Sequence, residues 1–177
     1  MRNFFYLLLL GTILGTIAIV VRSGMLARKN PGEPINSAMR EALARDNPEY
    51  TLQDQRMIEQ MYPTAHKLPS GLRYVVRDPG KGGATPHPGD TIICNYAGRL
   101  LDGTQFDSSY RRGVPFSFRL GTGSVIKGWD EAFALMHKGE RCTVIVPYWL
   151  GYGPKGQPPT IPPRATLIFE VELIDWQ

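Results

Sequence analysis

The sequence predicts an α+β domain in which a curved, mostly antiparallel sheet wraps around one short helix. Two observations lead there. Five segments beyond residue 70 are rich in β-branched and aromatic residues: LRYVV at 72–76, TIICNYAGRL at 91–100, PFSFRL at 115–120, RCTVIVP at 141–147 and ATLIFEVELI at 165–174. Turn signals punctuate them, DPGKGG at 78–83, HPGD at 87–90 and LDGT at 101–104. Within this domain only GSVIKGWDEAFALM at 123–136 is convincingly helical, with Trp129, Ala132, Phe133 and Met136 at the i, i+3, i+4, i+7 spacing. A single helix buries such a face by lying across the sheet. Phe133 and Met136 read as core. Trp129 follows Val125 and Ile126 directly, and it reads either as core or as the floor of an open cleft.

The chain has 177 residues, room for one ordinary domain and an appendage. The appendage is amino-terminal. Residues 4–21 carry no charge and lie between Arg2 and Arg22. At about 1.5 Å per residue a helix over this run is roughly 27 Å long, near the hydrocarbon thickness of a bilayer. TIAIVVRSG offers no small-x-small pair for cleavage, and no cysteine follows to take a lipid. Residues 1–22 are therefore expected to be an uncleaved signal anchor, a transmembrane helix, with a cleaved signal peptide as the alternative. Arg2 on one side and Arg22, Arg28 and Lys29 on the other leave orientation open. Analogy with export signals places the following domain outside the cytoplasm.

Residues 23–70 are expected to form a linker and a short helical stalk. KNPGEP at 29–34 is Pro/Gly-rich, and Asn36 or Ser37 is placed to cap a helix over 37–45 that ends before Pro48. Thr51 with Asp54 resembles a loose capping box for a helix to about Met61. Leu52, Met57, Ile58 and Met61 give that helix a modest apolar edge. The pattern is too short for a helix–helix seam, so it reads as a solvated stalk leaning on a domain at 71–177.

The net charge of +4 is spread along the chain. Residues 23–70 hold six acidic and six basic side chains, and 71–177 hold ten and twelve. No stretch joins clustered Lys and Arg to aromatics, which argues against a nucleic-acid partner. The two cysteines, Cys94 and Cys142, are far apart with no nearby His cluster, so a structural zinc is not expected. They read as buried thiols, with a disulfide open only in an oxidising compartment.

YAGRLLDGTQFDSS (96–109), PFSFRLGTGSVIKGWDEAF (115–133), GYG (151–153) and IPPRATLIFEVEL (161–173) closely resemble the FKBP family of peptidyl-prolyl cis-trans isomerases. The resemblance covers essentially all of 71–177 and looks most like the exported bacterial branch, with one FKBP domain behind an amino-terminal extension. It implies an active cleft between sheet and helix, formed by Tyr96, Asp107, Phe116, Trp129, Tyr152 and Phe169. Phe106, Arg112, Val125, Ile126, Gln157 and Ile161 are the implied substrate contacts. In the family the indole at the Trp129 position floors the pocket under the proline ring. The N–H at the Ile126 position and the phenol at the Tyr152 position bond substrate carbonyls. The implied partners are proline-containing polypeptides and macrolide immunosuppressant-type inhibitors, with no cofactor, and with membrane contact through the amino-terminal helix. A weakly catalytic chaperone or peptide-binding module of the same fold is the alternative. Departures are Thr160 at a usually aliphatic position, Gln157 where some members have histidine, and Ser124 where the family carries an acid. Tyr148-Trp149 replaces residues usually polar, and an exposed Trp149 would be an apolar feature beside the cleft.

Overall fold

Along TIICNYAGRL the buried Ile92, Cys94 and Tyr96 alternate with half-buried neighbours, and the segment runs as an interior strand paired on both edges. The computed structural model describes residues 49–177. Its strands are β1 (His66–Lys67), β2 (Arg73–Asp78), β3 (Thr91–Leu100), β4 (Gln105–Ser108), β5 (Phe116–Arg119), β6 (Arg141–Val146) and β7 (Leu167–Trp176). They form one antiparallel sheet in the order β1-β2-β6-β7-β3-β4, with β5 also on β3. One edge of β3 follows β7 from Ile92↔Trp176 to Leu100↔Leu167. The other edge is shared: β5 takes Thr91–Cys94 and β4 takes Ala97–Arg99. A bulge between Ile93 and Cys94 shifts the register against β7 there, a device that sharpens local twist.

Among the described residues three α-helices accompany the sheet, α1 (Leu52–Met61), α2 (Ser109–Arg112) and α3 (Lys127–Phe133), with a short 3-10 turn at Tyr148–Leu150. At seven residues α3 is too short to persist alone, and packing must hold it. Trp129, Ala132, Phe133 and Met136 are all buried, as the spacing requires. They meet the inward residues of four strands, among them Ile92, Cys94 and Tyr96, Phe118, Cys142, Val144 and Val146, and Phe169, Val171 and Leu173. Close approach depends on Gly128, where a Cβ would stand 2.6 Å from Val146 Cγ1. Asp130 anchors the preceding loop by accepting the Gly121 N–H at 2.8 Å.

The opposite face of the sheet is covered by α1, whose bounds match the expected capped helix. Thr51 Oγ1 accepts the Asp54 N–H at 3.0 Å. The expected apolar edge is narrower than its sequence suggests. Ile58 is completely buried against Ile145 and Ile168, whereas Leu52 is 77% exposed and Met61 44%. One isoleucine and the Thr166 hydroxyl, which donates to Asp54 Oδ2 at 2.6 Å, suffice to dock the helix. Residues Pro48–Gln177 thus form one compact unit. β1, β4 and α2 are too short to leave a periodic signal in the sequence.

The expected span over 1–22, the linker at 29–34 and the helix over 37–45 lie outside the described residues. Among the described residues no helix is long and apolar enough to cross a membrane. Cys94 and Cys142 are both buried and free. Burial pushes the Cys94 thiol up to about 12, which leaves it little thiolate character near neutral pH.

Candidate functional site

β3 places Tyr96 on the α3 side of the sheet, β4 brings Phe106 and Asp107, β5 brings Phe116 and β7 brings Phe169. Where these strands meet the start of α3 they enclose a cleft of about 250 Å³. Its walls are Tyr96, Phe106, Asp107, Phe116, Val125, Ile126, Trp129, Tyr152 and Phe169, with Ser124 at the edge. Nine of the residues singled out from the sequence therefore share one concavity. Gln157 and Ile161 do not line it. Their backbones pair with each other at 2.8 and 2.9 Å, closing the lip loop, while Ile161 packs into the core and the Gln157 side chain is exposed. Arg112 also stands off the wall and acts through its neighbours.

Trp129 joins both alternatives left open by its spacing. It is only 5% exposed and belongs to the core, yet it forms part of the cleft lining. Its ring meets Tyr96 edge-on at 4.8 Å, Phe169 at 5.2 Å and Phe116 at 5.9 Å, and it meets a tilted Phe133 at 5.4 Å. Edge-to-face geometry of this kind adds to simple burial and fixes ring orientation. The indole N–H is buried with no partner among the described residues, and what this floor presents to the cleft is ring surface.

One polar network stands at the rim. The Tyr96 hydroxyl donates to Asp107 Oδ2, and Arg112 reaches Asp107 Oδ1 at 2.5 Å and the Tyr96 oxygen at 2.9 Å. The Ser108 N–H donates to Asp107 Oδ1 at 2.7 Å, and the Tyr96 N–H to Ser109 Oγ at 2.9 Å. Partial burial pushes the Asp107 carboxyl up. The Tyr96 hydroxyl, the Ser108 N–H and Arg112 together outweigh it, so the carboxyl titrates below its usual range. Burial first, then the bond to Asp107, raises the Tyr96 phenol. A depressed carboxylate lends its stability above the unfolded value near 3.9 and loses it as pH falls through the lower folded value. Peptide affinity of the cleft should therefore be flat from pH 8 to about 5 and fall only below about 4. Titration of Asp107 followed by NMR against bound-peptide signal checks this, and a loss near neutrality contradicts it.

Gly98 was not singled out in the sequence. A Cβ there would lie 2.7 Å from Phe106 Cζ and 2.8 Å from Phe169 Cε1, so the missing side chain makes room for two cleft rings. A glycine inside a strand is the signal that marks such a close approach. Trp149 also differs from expectation. It is half-buried, and its indole N–H donates to the Ser70 carbonyl at 2.9 Å instead of facing a substrate.

A second groove of about 240 Å³ lies at the other end of α3, lined by Tyr74, Val76, Leu135, Met136 and Glu140 among others. Glu140 is spent locally, accepting the His137 N–H at 2.8 Å and the Cys142 thiol at 3.0 Å. Convergent polar groups at an aromatic floor favour the first cleft as the site.

A sheet wrapped on one helix, with an aromatic cleft and a Tyr-Asp-Arg rim, defines an α+β domain with one largely apolar concavity. The chain belongs to the FKBP-type peptidyl-prolyl cis-trans isomerase family, whose profile matches residues 82–174, just over half of the chain. It is 57% identical over 88 residues to peptidyl-prolyl cis-trans isomerase FKBP15-2 of Arabidopsis thaliana, covering 50% of this chain and 54% of that one. It is 47% identical over 104 residues to FK506-binding protein 1A of Aspergillus fumigatus, covering 59% of this chain and 93% of that one. The crystal structure of AtFKBP13 superposes with a TM-score of 0.60 at 36% identity, over 64% of this chain and 98% of that one. The chain spans about half the length of the plant relative and 24% of some longer curated relatives. These relatives are eukaryotic, and they lend no support to the expected exported bacterial type.

Proposed function

We propose that this domain accelerates rotation about Xaa-Pro bonds in polypeptides without covalent chemistry. The observation that carries the reading is the cleft whose floor is the Trp129 ring, framed by Tyr96, Phe116 and Phe169. The barrier of about 18–20 kcal/mol is amide resonance lost as the C–N bond twists. Twisting returns a lone pair to nitrogen and withdraws charge from the carbonyl oxygen, so the twisted imide is less dipolar than the planar one. Apolar walls that exclude water therefore penalise the ground state more than the transition state, and each ~1.4 kcal/mol of difference gives about tenfold in rate. Phe106, Phe116, Trp129 and Phe169 supply those walls. The Ile126 N–H and the Tyr152 hydroxyl have no hydrogen-bond partner among the described residues, which leaves both for substrate carbonyls. Asp107, locked by Tyr96 and Arg112, keeps the rim open around a bent peptide.

A protease-coupled assay on a short Xaa-Pro peptide tests the reading. Asp107→Val and Phe116→Ala should each lower kcat/KM about tenfold or more while the circular dichroism spectrum is retained. Peptide binding without acceleration by the unaltered chain would favour the holding module instead, and unchanged rates in both variants would mean that the site is misplaced. The setting we propose is a domain tethered to a membrane by residues 1–22 and working on exported chains, whose prolyl bonds relax over tens of seconds unaided. The uncharged run at 4–21 supports this setting. Intact mass of the protein recovered from its native membrane reports whether that segment is retained. Proline-containing chains are the proposed substrates, and FK506-like macrolides are the proposed inhibitors, in keeping with the name of the Aspergillus relative.

A further inference from the structure

Residues 49–71 precede the 82–174 stretch that matches the family, yet they touch both elements that bear the cleft. Ser70 is the point of contact. Its hydroxyl donates to Glu131 Oε1 on α3 at 2.7 Å, and its carbonyl accepts the Trp149 indole N–H at 2.9 Å. The indole lies close against Gly71, where φ is +94° and a Cβ would stand 2.6 Å from Trp149 Cζ2. The Tyr50 ring meets Trp149 edge-on at 5.2 Å, and its hydroxyl donates to the Gly71 carbonyl at 2.9 Å. On the far side Trp149 belongs to a tight turn closed on one carbonyl. The Gly151 and Gly153 N–H groups both donate to Tyr148 O, at 3.1 and 2.7 Å, and Tyr152 lies between them.

The geometry points to Trp149 as a positioning residue for the reaction: its indole N–H, held by the Ser70 carbonyl, fixes the 148–153 turn and with it the Tyr152 hydroxyl at the cleft mouth. The same serine ties down α3, the element that carries Trp129. A strap outside the family's matched span thus sets the distance between the floor and one wall of the cleft. A tryptophan is needed because it combines a wide ring for Tyr50 and Gly71 with a donor at its edge. What Tyr152 does there rests on the isomerase reading.

A double-mutant cycle in the full chain tests this, with Trp149→Phe, Tyr152→Phe and the pair. Phenylalanine keeps the aromatic contact and removes the donor. Trp149→Phe should raise KM for a proline peptide about fivefold with kcat changed less than about twofold, because the Tyr152 bond serves ground and transition states alike. In the Tyr152→Phe background the same change should add nothing further. Equal factors in both backgrounds, or lost thermal stability with KM unchanged, would overturn the assignment. Should Trp149→Phe not fold, Tyr50→Phe releases the Gly71 carbonyl while keeping the ring, and it enters the same cycle with the same expectation. If the unaltered chain lacks turnover, the isomerase reading fails by itself. The peptide dissociation constant then replaces KM in the cycle and still decides whether Trp149 acts through Tyr152.

Discussion

Gly98→Ala is expected to lower kcat/KM about tenfold while leaving the unfolding midpoint nearly unchanged. Gly98 sits on β3 with an ordinary strand conformation, so alanine meets no backbone penalty there. The added methyl would lie 2.7–2.8 Å from the ends of the Phe106 and Phe169 rings, well inside contact distance. These rings form an edge-to-face pair at 5.6 Å and 89°, and both border the cleft. The free volume nearest to them is the cleft itself, so relief comes by swinging a ring into the space a substrate needs. Overpacking in a closed core costs about 1–3 kcal/mol of stability, but beside an open cleft the strain appears as lost binding. Phe106→Leu, placed on Gly98→Ala, should restore part of the activity by making room. Activity at the original level in Gly98→Ala would show that the rings yield elsewhere.

Trp129→Ala should cost about 3–5 kcal/mol of stability, the range for deleting a large buried aromatic, and should also abolish measurable isomerisation. The ring is surrounded by Tyr96, Phe116, Phe118, Phe133 and Phe169, and the vacated space cannot collapse without moving the cleft walls. Stability loss alone does not separate floor from core, and Phe133→Ala is the control. Phe133 is completely buried in the same cluster but is absent from the cleft lining. It should cost a similar amount in urea titration and keep kcat/KM per folded molecule within about threefold. Equal loss of activity in both variants would mean that Trp129 acts only as core.

The two experiments separate what the residue order conveyed from what it did not. Strand texture, turn residues and the helical spacing at 123–136 were legible because alternation and the 3.6-residue period express which side of each element meets the core. The extended blocks at 96–109 and 115–133 carried seven of the cleft's wall residues, and the shorter blocks at 151–153 and 161–173 added Tyr152 and Phe169. Gln157 and Ile161 do not reach the cleft lining: they pair through their backbones inside a proline-rich loop, with one side chain outward and the other in the core. Gly98 escaped notice because its role is an absence of atoms, visible only once two rings from distant strands converge on it.

By itself, then, the sequence determined which five segments extend as the principal strands, the helix that must be buried and the chemical character of the cleft, since these depend on local periodicity and residue type. Tertiary structure alone decided that α1 covers the outer face through Ile58, that Trp149 faces Ser70 rather than a ligand, and that Gly98 spaces two rings. Each of these depends on contacts between residues remote along the chain. Their distances are settled by packing the whole sheet at once, and no window of neighbouring residues contains that information.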